Sequence, residues 1–177
     1  MNEQCIICQI IDGKVPSKKI YEDDEIVALL DFNGANPGHS FVMPKQHFPI
    51  LEQIPAKLIG KLFNAANRVS SAIFEALGVQ GTNIFVANGI SAGQKVAHFM
   101  INVVPRTEND GINMQWQPRQ LDEEEMSTIE LKLKEEIGNV GIGEAPAKSM
   151  QPKKAELIPE KISGEESYLV KQLRRIP

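Results

Sequence analysis

The sequence contains no long apolar run. No segment approaches the roughly eighteen consecutive apolar residues of a membrane span. The N-terminus MNEQCIICQI has no basic region followed by an apolar stretch and a small-residue cleavage site, so it does not resemble a secretory signal. We therefore expect a cytoplasmic protein that does not bind membranes.

The sequence also lacks a block of positive charge. Lys and Arg total 19 against 23 Asp and Glu, which gives a formal charge of −4 and a pI near 5.5. Duplex nucleic acids are bound mainly through clustered basic side chains, and this chain has no such cluster. We expect no nucleic acid polymer as a partner, although a small nucleotide pocket would not show in the net charge.

Cysteine and histidine are scarce, with two of the first and three of the second. Cys5 and Cys8 lie three residues apart, a spacing that in a reducing compartment favours metal or redox chemistry over a structural disulfide. Zinc prefers four Cys and His ligands, so two of His39, His47 and His98 would have to complete the shell. Spacing alone leaves two alternatives open, a zinc site or histidines hydrogen-bonded within the structure.

The remaining composition is that of one globular domain with an appendage. Of 177 residues, 42% are hydrophobic, enough for a core that needs no disulfides. Short strands are predicted at 19–22, 25–31 and 40–43, separated by Asp, Asn, Gly and Pro turn signals. Apolar residues at helical spacing predict a long helix from Pro55 to the stop at Gly78, followed by strands at 82–87 and 97–104. The fold class is α+β.

The last third of the chain differs in composition. Asp122 and Glu125 form a predicted capping pair for a helix over about 122–138. The following stretch, rich in Gly, Pro, Lys and Ala, predicts a linker or surface arm, and Ser163 with Glu166 predicts a short terminal helix over about 164–175. We expect a domain over 1–110 and an extension over 111–177.

One short row of residues suggests a binding site. His98, Met100 and Asn102 alternate with apolar residues, and alternate residues of a strand share one face. The Met100 thioether is polarisable but is neither basic nor able to exchange a proton. Asn102 can form hydrogen bonds without acting as acid or base. The row can therefore bind a ligand but lacks a nucleophile.

Two stretches resemble the histidine triad (HIT) superfamily. They are CIICQIIDGKVPSKKIYEDDEIVALLDFNGANPGHSFVMPKQH and NGISAGQKVAHFMINVVPR, and the resemblance covers residues 1 to about 106. It implies a HIT-like antiparallel sheet with one long helix, a homodimer, and a site for a purine nucleotide or related phosphate compound. Family members cleave at the α-phosphate through a nucleotidyl-histidine on the middle residue of a His-x-His-x-His strand.

Here His98 matches the first histidine, but Met100 stands at the position of the nucleophile and Asn102 at the third histidine. Because the missing middle residue is the one that becomes covalently modified, we expect the hydrolase or transferase activity to be lost. Two alternatives remain: a zinc-stabilised scaffold or regulatory homodimer that binds no nucleotide, and a residual hydrolase that uses another group.

The resemblance also implies which residues bind a nucleotide and which bind a metal. Asp31 matches the family residue that holds the ribose hydroxyls, and His39 matches the supporting histidine of a Gly-His pair. Gln94 matches the glutamine of the Gly-Gln step, and Asn88 falls in the polar loop near the phosphates. The predicted nucleotide-binding residues are Ile6, Ile7, Ile10, Leu29, Asp31, Phe32, His39, Asn88, Gln94 and Asn102. Relatives with the same CxxC hold a structural zinc, and the matching ligands here are Cys5, Cys8, His47 and His98.

Overall fold

The computed structural model describes residues 4–140, which fall into two units, 4–112 and 113–140. Within this described part, no helix is both long and apolar enough to cross a membrane. The first unit contains the helices α1 (Ile6–Ile11) and α2 (Ala56–Leu77) and the strands β1 (Lys19–Glu22), β2 (Ile26–Leu30), β3 (Ser40–Pro44), β4 (Gly81–Phe85) and β5 (Ile101–Arg106).

The five strands form one antiparallel sheet in the order β1-β2-β3-β5-β4. This confirms the α+β class and the HIT-like sheet. The first three strands lie within one residue of their predicted ends, and β4 is shorter than predicted, because it ends at Phe85.

The long helix α2 covers one face of the sheet. Pro55 precedes its first turn, and Gly78 ends it in the left-handed conformation with a φ of 62°, which glycine adopts without strain. Its buried residues, among them Leu58, Leu62 and Ile73, pack against inward-facing strand residues. Those strand residues are Ile26, Ala28, Val42, Ile101 and Val103.

The opposite face of the sheet packs against α1. Val27, Leu29 and Met43, which alternate with the residues facing α2, form a second cluster with Cys5, Ile7 and Cys8. The sequence predicted no helix here. Six residues are too few to display a helical apolar period, so the pattern gave no signal for α1.

The strand β5 begins four residues later than predicted and ends two residues later. Its ladder with β3 starts where Ile101 faces Val42, close to the end of β3 at Pro44. Proline has no N–H to donate, and the Pro44 carbonyl accepts a hydrogen bond from the His98 ring at 2.9 Å. His98 therefore lies outside the ladder, although Met100 still packs on the α1 face.

In the second unit, α3 runs from Glu123 to Asn139. The capping box is present, since the Glu125 N–H donates to Asp122 Oδ1 at 2.8 Å and Glu125 Oε2 accepts from the Asp122 N–H. This confirms the predicted helix to within one residue at each end. The predicted arm and the terminal helix at about 164–175 lie outside the described residues.

Candidate metal centre and nucleotide site

Four side chains far apart in sequence converge at one end of the sheet. One ligand atom from each of Cys5, Cys8, His47 and His98 lies within 4.8 Å of the others. The Cys8 sulfur is 3.4 Å from His47 Nδ1 and 3.7 Å from His98 Nδ1, and the Cys5 sulfur is also 3.7 Å from His98 Nδ1. A tetrahedral zinc with ordinary bond lengths would separate sulfur and nitrogen ligands by about 3.5 Å. The cluster has the dimensions of a zinc shell.

Three structural elements position these ligands. Cys5 immediately precedes α1 and Cys8 lies one turn into it, so both thiols emerge on the same side of the helix. His47 follows β3, and His98 lies just before β5. The two imidazole rings meet edge to face with centroids 5.3 Å apart.

The surroundings of His98 fix which of its nitrogens faces the thiols. The Pro44 carbonyl can only accept, so Nε2 carries the proton and donates, leaving the lone pair of Nδ1 directed at the cysteines. The ring is fully buried, and burial lowers the pKa of His98, partly opposed by the hydrogen bond to Pro44. His98 is thus kept neutral, the form in which histidine binds metals.

The donor set also identifies the class of metal. Thiolates and imidazoles suit zinc, whereas magnesium and calcium require oxygen ligands. Four protein ligands complete a tetrahedron and leave no open position for substrate, which is the arrangement of a structural site. All four predicted ligands are brought together, and the cluster suits zinc.

A second group of side chains surrounds His39. Its Nδ1 accepts from the Ala35 N–H at 3.1 Å, so Nε2 carries the proton and donates to Asn102 Oδ1 at 3.3 Å. Asp31 Oδ2 lies 3.6 Å from His39 Nδ1. Three of the predicted nucleotide residues therefore lie together, and the oxygen of Asn102 is directed at His39.

Met100 occupies the middle of the row between His98 and Asn102. It is partly buried and packs against the cluster formed by α1 and the sheet. A thioether there fills apolar space and provides no group that could attack phosphorus or take up a proton.

The loop predicted to lie near the phosphates is held by its own amide side chains. Gln94 Oε1 accepts from the Gly89 N–H at 2.8 Å, and its Nε2 donates to the Pro49 and Val96 carbonyls at 2.6 and 2.9 Å. Asn88 accepts from the Leu51 N–H at 3.0 Å and donates to a glutamate. The structure thus shows both amides binding protein groups that fix the loop.

The predicted apolar slot for the base contains both core and surface residues. Ile7 and Leu29 are buried, and Ile10 packs partly buried against them. Ile6 and Phe32 are 43% and 71% exposed. These last two are the members of the set whose apolar surface is available to a ligand.

Sequence reasoning missed a network at the end of β5. Arg106 Nε and Nη2 donate to the two carboxylate oxygens of Asp110 at 2.6 and 2.9 Å, and the guanidinium holds the pKa of Asp110 well below its usual range. Asn36 donates to the same carboxylate at 3.0 Å and to the Pro105 carbonyl at 2.8 Å. The network fixes the loop that leads into His39. Only the Arg-x-x-x-Asp spacing could have indicated it.

Known proteins share both the sequence pattern and the fold. A family model described as the HIT domain matches residues 12–109, more than half of the chain. The adenylylsulfatase HINT3 of Arabidopsis thaliana is 38% identical over 110 residues, which is 62% of this chain but only 56% of that protein. The chain therefore spans little more than half of that relative's length.

Two solved structures extend the comparison. A HIT family member from Bacillus subtilis aligns with a TM-score of 0.71 and 32% identity over 75% of this chain and 96% of its own. A zinc-bound histidine triad family protein from Mycobacterium smegmatis aligns with a TM-score of 0.60 and 29% identity over 78% and 98%. On the family match, the shared fold and the cysteine–histidine cluster, this chain belongs to the HIT family of nucleotide-binding and hydrolase-type proteins.

Proposed function

We propose that this chain is a pseudoenzyme of the HIT family that binds a purine nucleotide or related phosphate compound without cleaving it through a nucleotidyl-histidine. The observation that carries the proposal is the surroundings of Met100, a thioether packed into the apolar cluster under α1 where the nucleophile is expected. The relative named adenylylsulfatase supports an adenosine phosphate as the ligand class.

Retained binding is supported by the contacts around His39. Asp31, His39 and Asn102 lie together and supply acceptor oxygens and an amide donor, which can hold ribose hydroxyls and a phosphate oxygen. The exposed rings and alkyl groups of Phe32 and Ile6 offer apolar surface to a base. These groups bind and orient a ligand, and no step of bond breaking needs them.

We further propose that Cys5, Cys8, His47 and His98 hold one structural zinc, and that the protein acts in the cytoplasm, where the two thiols stay reduced. Zinc there would hold α1 against the turn after β3 and the start of β5.

A homodimer is proposed as well. Strand β4 ends the sheet and no described residue pairs with its outer edge, while Ile84 on it is exposed. Light scattering on purified protein tests this proposal. We also propose the division of the chain into a domain over 1–110 and an extension over 111–177.

The experiment that tests the function is calorimetric titration of AMP and GMP into zinc-loaded protein, with a parallel assay for release of AMP from an adenosine phosphoramidate. Micromolar binding without turnover is expected. Asp31→Ala should weaken binding by more than tenfold, and Lys57→Gln on the distant surface of α2 should not. Absence of binding heat would instead favour the scaffold or regulatory homodimer, and turnover abolished by Asn102→Ala would favour a residual hydrolase.

A further inference from the structure

A groove lies between α2 and the β1 side of the sheet, which we call the α2 groove. It has a volume of about 410 Å³ and is walled by Ile20, Leu30, Val69, Ala72, Ile73 and Leu77, with Arg68 and Tyr21 among its polar residues. Small-molecule sites in proteins have volumes of about 300–1,000 Å³ and mostly apolar walls. The α2 groove meets both conditions.

The groove exists because α2 presents short side chains there. Ala65, Ala72 and Ala76 line it, and alanines cannot reach across to the sheet. Larger apolar residues at its margin are left uncovered by the described part of the chain, with Ile20 45% and Leu77 51% exposed. A ligand that covered them would gain the free energy of burying apolar surface.

The α2 groove is separate from both sites already described. Gly38 and Ser40 line it, whereas His39 between them contacts Asp31 and Asn102 through the opposite face of the sheet. The metal cluster also lies on the α1 side. Binding in the groove can therefore be tested independently of nucleotide or zinc.

The polar groups of the groove favour an anion. The Tyr21 hydroxyl donates to Asp23 at 2.6 Å and the Ser40 hydroxyl to the Gly38 carbonyl at 2.8 Å, so both donors are in use. Arg68 is exposed, and no carboxylate among residues 4–140 lies within ion-pair distance of it. A guanidinium beside an apolar trough matches a carboxylate on an apolar body.

We propose that the α2 groove binds a small apolar carboxylate, an alkyl or aryl acid whose body lies along the alanines of α2 and whose head meets Arg68. The site is not part of the nucleotide pocket, and the proposal does not depend on the function proposed above.

The test is titration of octanoate into the full chain, followed by calorimetry and amide NMR shifts. Saturable binding with a Kd of about 1 mM or tighter is expected. Ala72→Phe fills the groove and should weaken binding by more than tenfold, whereas Ala72→Ser should not. Arg68→Gln should weaken octanoate binding by about fivefold and leave octanol binding unchanged. Lys57→Gln, which removes a charge from the same helix outside the groove, should have no effect.

An unchanged melting temperature in Ala72→Phe would show that the variant is folded, and Ala76→Phe provides a second filled groove. The proposal is overturned if the full chain shows no saturable octanoate binding. This holds equally if another segment or a second copy covers the groove. Equal octanoate affinity in the filled variants or in Arg68→Gln also overturns it.

Discussion

Removal of zinc should destabilise the fold strongly. The four candidate ligands lie before and within α1, after β3 and before β5, so a zinc held there would bridge segments up to 93 residues apart in sequence. A ligand that binds only the folded state stabilises it by about 2.7 kcal/mol when present at 100 times its Kd. For a domain of about 100 residues, this corresponds to a fall of roughly 10–20 °C in melting temperature on chelation.

The assay is thermal unfolding with and without EDTA, together with elemental analysis of protein purified without chelator. Cys8→Ser should lower the melting temperature in zinc and make it insensitive to EDTA, because three ligands no longer close the tetrahedron. His39→Ala, a histidine outside the cluster, should keep one zinc per chain and the full response to EDTA. Well under one zinc per chain, with a melting temperature that EDTA does not change, would refute the reasoning.

Three further predictions concern other parts of the first unit. Met100→His alone should give little turnover, whereas Met100→His with Asn102→His should hydrolyse an adenosine phosphoramidate measurably by AMP release; complete inactivity of the double variant would argue that nucleotide binding itself is lost. Gly38→Ala should destabilise the fold by about 1–3 kcal/mol in urea unfolding, because φ at Gly38 is 89°, a backbone conformation that alanine rarely adopts. The neighbouring arginine guanidinium lowers the pKa of Asp110 in the folded state, so its stabilisation is present above the unfolded pKa near 4 and is lost as pH falls. Asp110→Asn should therefore flatten the dependence of melting temperature on pH below about pH 5, and an unchanged slope there would contradict this assignment.

The fold was predictable wherever local chemistry repeats over many residues. The helix α2 carries its apolar period across 22 residues between Pro55 and Gly78, and α3 has a complete capping box. The helix α1 has six residues and no side-chain cap, so neither signal was available. The start of β5 depends on Pro44 in a neighbouring strand, which no window along the β5 sequence can detect.

The candidate site was predictable only in part. The CxxC spacing favoured metal or redox chemistry but did not say which histidines would join the cysteines. That depends on how the sheet places histidines that lie 39 to 93 positions from the cysteines in sequence, and the resemblance to the family supplied the choice. For the amide side chains of the loop near residues 88–94, the sequence did not indicate the contacts that they make. Gln94 and Asn88 are of a type that binds phosphates, yet their bonds to main-chain groups depend on the positions of Pro49 and Leu51 in three dimensions.

The two nitrogens of the His98 ring determine which positions of the row 98, 100 and 102 can be replaced without damage to the fold. One ring nitrogen faces the thiols and the other is held by Pro44, so a substitution at His98 damages the fold itself. Met100 fills apolar space and Asn102 bonds only to His39 among described side chains, so a change at either position removes few contacts of the fold. The fold therefore tolerates replacement at positions 100 and 102 better than at position 98, although all three lie in one short row.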